Sequence, residues 1–293
     1  MHNSHRRAGA TAAVLTLAAA TAFSVSAGTA SAASAPVPAP AAHAVPFPLS
    51  KPASFRRAAL TTHPAFHIVS PDEGHLPFVS GPHGALSRSG LKGTLYSENW
   101  SGYAVDSGTY TSVLAYWTQP SADCPSGDTS AAWFWVGLDG FNSSTVEQTG
   151  TASDCTDGTA SYGAWVETYP AGAEFYDATV EPGDQFGAYV TASGDSFTFY
   201  IEDFTQGWVG EYQPTVSGAA LSSAEVIAEA PSSGGILPLT DFGTVNFTDA
   251  TTDATGFGSL SPLQMDIENT SGGLEDTTSG LNGNDFSVTW DSE

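Results

Sequence analysis

Residues 131–139 read Ala131-Ala132-Trp133-Phe134-Trp135-Val136-Gly137-Leu138-Asp139, and two chemistries alternate along them. In an extended strand successive side chains point to opposite faces. Trp133, Trp135, Gly137 and Asp139 therefore share one face, and Phe134, Val136 and Leu138 share the other. The second is a core face; the first, with indoles and a carboxyl, suits a groove that meets a ligand. The pattern returns where Trp165, Glu167 and Tyr169 oppose Val166 and Thr168, and again where Glu225, Ile227 and Glu229 oppose Val226 and Ala228. One such strand would be an ordinary half-solvated face. Three of them, two with aromatic companions, predict a groove.

Around these runs the chain from about Gly93 onward is rich in Gly, Ser, Thr, Val and aromatic residues, and its apolar stretches are short and broken by Gly, Asp, Ser and Pro. That is a β-protein pattern. It predicts strands over Ser112–Thr118, Ala131–Leu138, Ser161–Tyr169, Gln185–Thr191, Ser196–Asp203, Ala224–Glu229 and Thr244–Thr248. No segment shows a long helical period. Many short strands over roughly 200 residues predict one all-β domain, an antiparallel β-sandwich of two curved sheets of the jelly-roll or concanavalin-like kind.

Upstream the composition changes. Arg6 and Arg7 precede an apolar run from Ala12 to about Phe23 and small residues ending Ala30-Ser31-Ala32, the layout of a secretory signal peptide over residues 1–32. The run is shorter than the ~20 residues a spanning helix needs. Residues 33–92 begin Pro/Ala-rich and then carry five histidines and five basic residues from His43 onward. They are expected to be a propeptide that docks on the acidic domain, residues 93–293, inhibits it near neutral pH, and lets go as the carboxyls protonate. A secreted, extracellular protein is expected. Its two cysteines, Cys124 and Cys155, then read as one disulfide.

Charge is the most informative feature. All seven Lys and Arg residues and all seven His residues precede Gly93. Of the 31 acidic residues only Asp72 and Glu73 do, which leaves 29 after it. Such a domain repels itself near neutral pH and loses most of its charge near pH 3, below the ordinary carboxyl range of about 4. Halophilic proteins are also acidic, but they keep some Lys, Arg and His. The same absence excludes Ser-His-Asp and Cys-His sites, histidine-ligated zinc, and lysine chemistry in this domain. Nucleic-acid binding is excluded for want of cations. Carboxyl, amide, hydroxyl and backbone groups remain, with no metal or cofactor expected.

The runs Asn99-Trp100-Ser101-Gly102-Tyr103, Trp135-Val136-Gly137-Leu138-Asp139-Gly140, Gln148-Thr149-Gly150, Ala164-Trp165-Val166-Glu167-Thr168-Tyr169-Pro170 and Ala224-Glu225-Val226-Ile227-Ala228-Glu229 resemble, in order and spacing, the glutamic endopeptidases called eqolisins. The resemblance covers the segment from Tyr96 onward, with little to match in its last sixty or so residues. It implies a β-sandwich whose concave side binds an extended peptide, secretion as a precursor, and activity in acid. By motif match Gln148 and Glu229 would be the catalytic pair, and Trp135, Asp139, Trp165, Glu167 and Tyr169 would line or support the cleft. Fungal members have an Asp shortly after their Gln-Thr-Gly; here Ala152 stands at that position, with Asp154 two residues on. Ala230-Pro231 also departs from the fungal pattern.

In this reading Glu229 activates water and returns the proton, and Gln148 donates an amide N–H to the oxyanion. Protein or peptide substrates, the chain's own propeptide as inhibitor, no membrane and a monomer are expected. The alternatives are a jelly-roll glycoside hydrolase using two carboxyls such as Glu167 and Glu229, or a carbohydrate-binding sandwich. A pepsin-like enzyme is disfavoured, because Asp106-Ser107-Gly108 has no second copy.

Overall fold

The computed structural model describes residues 66–68, 73–74, 76–85 and 93–292; the expected signal peptide and the Pro/Ala-rich start of the expected propeptide lie outside them. All described residues fall in the unit Ala44–Glu293. The strands, in chain order, are β1 (Phe66–Ile68), β2 (Glu73–Gly74), β3 (Ser80–Ala85), β4 (Leu95–Ser97), β5 (Trp100–Val105), β6 (Ser112–Thr118), β7 (Ser130–Leu138), β8 (Val146–Thr156), β9 (Thr159–Tyr169) and β10 (Glu174–Tyr176). They continue as β11 (Gln185–Ser193), β12 (Ser196–Asp203), β13 (Trp208–Tyr212), β14 (Ala224–Glu229), β15 (Ser232–Ser233), β16 (Thr244–Thr252), β17 (Thr255–Gly256), β18 (Leu263–Ile267), β19 (Asp276–Thr278) and β20 (Phe286–Trp290). Among the described residues the sole helical piece is a 3-10 turn at Phe257–Ser259.

The strands form a sandwich. A ten-stranded sheet runs β1-β10-β9-β8-β7-β14-β5-β18-β4-β3, and an eight-stranded sheet runs β13-β12-β11-β6-β16-β20-β19 with β17 paired to β16. Neighbours are antiparallel except β18 and β4. Both outermost strands of the larger sheet, β1 and β3, come from residues before Gly93, and β2 pairs with β15 just past Glu229.

The period-2 reading of residues 131–139 holds over the strand itself. Phe134, Val136 and Leu138 are buried between the sheets, with Val226 and Ala228 beside them and Phe186 in the same core from the opposite sheet. Trp133 and Trp135 belong to a second apolar cluster on the outer face of the larger sheet, with Trp100, Trp165 and Ile227. The expected strands are present, several one to four residues longer than the sequence pattern suggested. Strands β5, β8, β13, β18 and β20 were not among those the alternation rule revealed, and β8, at 11 residues, is the longest of them. Its inward side chains are Thr149, Thr151 and Ser153, and the core accepts them because Trp117 donates Nε1–H to Thr151 (2.9 Å), Gln119 donates Nε2–H to Ser153 (2.8 Å), and Thr149 donates to the Trp165 carbonyl (2.7 Å). Met partners in place of apolarity is how a polar strand is buried. Near its end, Cys155 is joined to Cys124 in a disulfide, as expected.

Glycine 150 shows how closely β8 and β7 fit. A Cβ there would stand 2.1 Å from the Phe134 carbonyl oxygen and 2.6 Å from the Trp135 Cβ.

No basic side chain exists from Gly93 onward, so buried acids are held by neutral donors or by protons. Asp276 accepts from Ser101 (2.6 Å) and from the Ile267 amide (2.9 Å), while Asp266 accepts from the Thr278 amide (2.8 Å); these bonds stitch the two sheets at one side. Burial is the largest influence on each and raises both, Asp266 to about 6. At the other side Glu147 is raised to about 8, and Glu225 well above the usual range, first by burial and then by neighbouring Asp139. An acid raised in the folded state binds its proton more tightly there than in the unfolded chain. Its stabilisation is complete below the unfolded value and is lost as pH climbs through the folded one.

The thermal midpoint should therefore be highest near pH 3 to 4 and fall through a window bounded by the ordinary value near 4 and the raised value of about 8 at Glu147. Thermal unfolding at pH 3, 5 and 7 checks this, and Glu147→Gln should flatten the upper part of the fall. A midpoint level or rising between pH 4 and 7 would refute it.

Candidate active site

The outer face of the larger sheet is built by register. Residues directly opposite in neighbouring strands point to the same side. Glu229 of β14 lies opposite Trp100 and Trp133. One pleat on, Ile227, Trp135, Gly150 and Trp165 form the next row, and beyond it Glu225, Gly137, Gln148 and Glu167 form a third. All the acids and aromatics that the sequence pattern grouped on three separate strands, Asp139 apart, thus share a single face. Strand β8 adds Gln148 to it.

Glu229 is fully buried. The Trp135 indole donates Nε1–H to its Oε2 at 2.7 Å. Burial pushes its carboxyl well above the ordinary range, and the Trp135 indole, the Trp100 indole, the Leu76 amide and the Asn99 side chain act in the opposite sense by favouring the ionised form. Trp135 is itself fixed, edge-on to Trp100 with ring centroids 4.9 Å apart. Its ring lies against Gly137, where a Cβ would stand 2.8 Å from Trp135 Cζ3. Glycine at 137 is thus what lets the indole lie along the sheet between the rows of Glu229 and Gln148.

Gln148 is fully buried and donates Nε2–H to Glu167 Oε2 at 2.7 Å. A carboxamide has two N–H donors, so one bond fixes its orientation and a second N–H is left for a ligand. Gln148 and Glu229 do not touch. They stand two strands and four residues apart, about 16 Å between Cα positions on an idealised flat sheet.

The other expected site residues take distinct places. Trp165 stacks at a tilt on Trp133, with centroids 5.1 Å apart, and both lie on the cleft face. Tyr169 packs at the margin of the same cluster. Asp139 turns away: just past the end of β7, at φ 70°, its carboxylate accepts from the Leu221 and Ser222 amides (2.7 and 2.8 Å) and from the Ser222 hydroxyl (2.9 Å). Its place is that of a support to the loop before β14. Asp154, two residues beyond Ala152, shares that residue's face and accepts from Trp133 Nε1–H at 2.9 Å. Asn99 was visible in a motif but carried no expected role, and it is buried beside Glu229. The two-carboxyl glycosidase alternative loses its geometry. Glu167, its second acid, is instead committed to the Gln148 carboxamide, whose Nε2–H it accepts at 2.7 Å.

Known proteins resemble this chain in sequence and in fold. The chain is 31% identical over 242 residues to Aspergillopepsin-2 of Aspergillus niger, a match spanning 73% of this chain and 85% of that protein. A second relative, Scytalidopepsin B of Scytalidium lignicola, is 36% identical over 112 residues, spanning 37% of this chain and 41% of its own. The fold is similar to a crystal structure of scytalido-glutamic peptidase with a transition state analog inhibitor, at TM-score 0.58 and 26% identity over 66% of this chain and 98% of that one. It is also similar to the aspergilloglutamic peptidase of Aspergillus niger, at TM-score 0.51 and 32% identity over 55% of this chain and 99% of that one. The sequence profile of the Peptidase A4 family matches residues 98–290. The chain accordingly belongs to the peptidase A4 family, the eqolisins, and is a glutamic endopeptidase.

Proposed function

We propose that the protein is secreted as a precursor and, in acid, hydrolyses peptide bonds in proteins with Glu229 and Gln148 as its catalytic pair. The observation that carries this reading is a fully buried glutamate, gripped at 2.7 Å by an indole N–H on an aromatic sheet face whose strands from Gly93 onward carry no basic side chain. A carboxyl whose affinity for protons is raised by burial is a stronger base when ionised and a ready acid when protonated. In the fraction of molecules with Glu229 ionised, a form its indole and amide donors favour, the carboxylate takes a proton from water as the water oxygen bonds to the substrate carbonyl carbon. The carbonyl oxygen becomes an oxyanion and receives an N–H from Gln148, whose donor does not titrate across the working range. Glu229 then passes the proton to the amide nitrogen, the C–N bond breaks, and the carboxyl and amine products leave. Glu167 holds the carboxamide in the orientation this needs.

Secretion rests on residues 1–32, and latency on residues 33–92. Support for latency comes from the described part of the second segment: β1, β2 and β3 pair with β10, β15 and β4, and the Leu76 amide bonds toward Glu229. Substrate and upstream segment would compete for one carboxyl.

Three outcomes are expected. Glu229→Gln should abolish cleavage of a protein substrate from pH 2 to 6 in the acid-treated protein, whereas an aspartic-protease inhibitor leaves wild-type activity unchanged. Gln148→Ala should fold normally, by circular dichroism and thermal midpoint, yet lose about a hundredfold to a thousandfold in kcat, as expected on removing an oxyanion donor; near wild-type turnover would remove Gln148 from the mechanism. The purified precursor should be intact and inactive near pH 7 and shorten itself at pH 3. Prolonged acid incubation without shortening would rule out self-activation.

A further inference from the structure

Between β2 and β3 the chain crosses the cleft as Leu76-Pro77-Phe78-Val79 without joining either sheet. Its backbone is nevertheless bound at almost every polar group. Asn99 Nδ2 donates to the Leu76 carbonyl (3.1 Å) and the Pro77 carbonyl (3.3 Å), and Asn99 Oδ1 accepts from the Val79 amide (2.9 Å). The Phe78 amide donates to the Gly140 carbonyl (3.2 Å), and the Val79 carbonyl accepts from Ser97 Oγ and the Glu98 amide (both 2.9 Å). The Leu76 amide bonds toward Glu229.

These contacts read main chain only, so they would hold an extended peptide of any sequence in the same track. Asn99 is suited to it. It is fully buried, its Oδ1 also accepts from the buried Ser97 hydroxyl (3.0 Å), and the next residue, Trp100, lies opposite Glu229 in the sheet.

One side chain of the segment is anchored by its type. The Phe78 ring stands 4.9 Å from Phe141 and edge-on to Trp100 at 6.3 Å. The corner it fills exists because residue 140 is glycine. At φ 100° a Cβ there would meet Val146 Cγ2 at 2.6 Å and Trp100 Cη2 at 2.8 Å, so only glycine lets the loop close down on Trp100 at the position before Phe141.

We infer that the Trp100–Phe141 corner is a subsite for an aromatic side chain of a bound peptide, that Asn99 clamps the peptide backbone beside it, and that Phe78 occupies it in the precursor. The inference rests on the peptidase reading and adds to it where an aromatic residue is selected and which residue of the chain keeps the cleft filled. Edge-to-face and tilted ring pairs add to plain apolar burial, so loss of the Phe78 ring weakens docking while the backbone bonds remain.

Two measurements on the full-length protein test it. The first is amide hydrogen exchange over residues 76–85 near pH 7, where the wild-type precursor should be protected and Phe78→Ala should exchange at least about tenfold faster, a tenfold change being roughly 1.4 kcal/mol. The second uses acid-activated protein and two tetrapeptides, acetyl-Leu-Pro-Phe-Val-amide and its Ala counterpart at the third position. The aromatic peptide should inhibit at least about tenfold more strongly, and Phe141→Ala should erase that difference with little effect on the Ala peptide. Equal exchange in the two precursors, or equal inhibition by the two peptides, would overturn the subsite. If acid-treated wild type cleaves no protein at any pH, the peptidase reading falls, and the exchange comparison still decides whether Phe78 holds the segment.

Discussion

From Gly93 onward this chain must fold with 29 acidic groups and no cation. A buried carboxylate finds no salt-bridge partner within this segment, and an unpaired buried charge is too costly to keep. Two solutions remain, and both are present: a neutral donor aimed at the carboxylate, or a proton held on it. The Ser101 hydroxyl and Ile267 amide serve Asp276, and the Leu221 and Ser222 amides serve Asp139. Glu147 and Glu225 take the second course. Glu229 lies between the two, raised by burial and opposed by indole and amide donors. The lack of cations that shapes the whole composition is thus also what sets the surroundings of Glu229, the carboxyl proposed as catalytic.

Around that carboxyl the cleft follows from strand register. Because β14, β7, β8 and β9 pair in sequence without a bulge across the rows that matter, alternate residues fall on one face and build a continuous surface of indoles, acids and one carboxamide. Two glycines set its depth. Gly150 allows β8 to lie close to β7, and Gly137 allows Trp135 to lie along the sheet where it can reach Glu229. A one-residue slip in β7 would send both indoles into the core and Phe134 into the cleft.

Much of this was legible in the residues themselves. Alternation in 131–139, 165–169 and 225–229 identified the core face and the cleft face of three strands, and Ser112–Thr118, Ser196–Asp203 and Ala224–Glu229 have the predicted bounds. What escaped has a physical reason in each case. Strand β8 buries hydroxyls rather than methyls, so it carries no hydrophobic period; its partners, Trp117 and Gln119, lie on or just past β6 in the other sheet. Asp139 continues the alternation on paper, but the backbone turns at that residue to φ 70° and takes the carboxyl out of the row. The roles of Asn99 and Phe141 depend on a segment about twenty residues upstream of Asn99 crossing the sheet, a contact no local pattern encodes.

The flanks of the larger sheet carry a different consequence. With β1 and β3 in place, β10 and β4 are interior strands whose main-chain groups are paired on both sides. Without residues 66–85, each becomes a border with a row of open N–H and C=O groups, the feature through which separate β-proteins join edge to edge. The upstream segment thus moves the borders of the sheet outward, from β10 and β4 to β1 and β3. Each border so bared is just three residues long, Glu174–Tyr176 on one side and Leu95–Ser97 on the other, and the mutual repulsion of so acidic a surface fades in acid. Shortness then takes over from charge as the feature that keeps one molecule from templating the next.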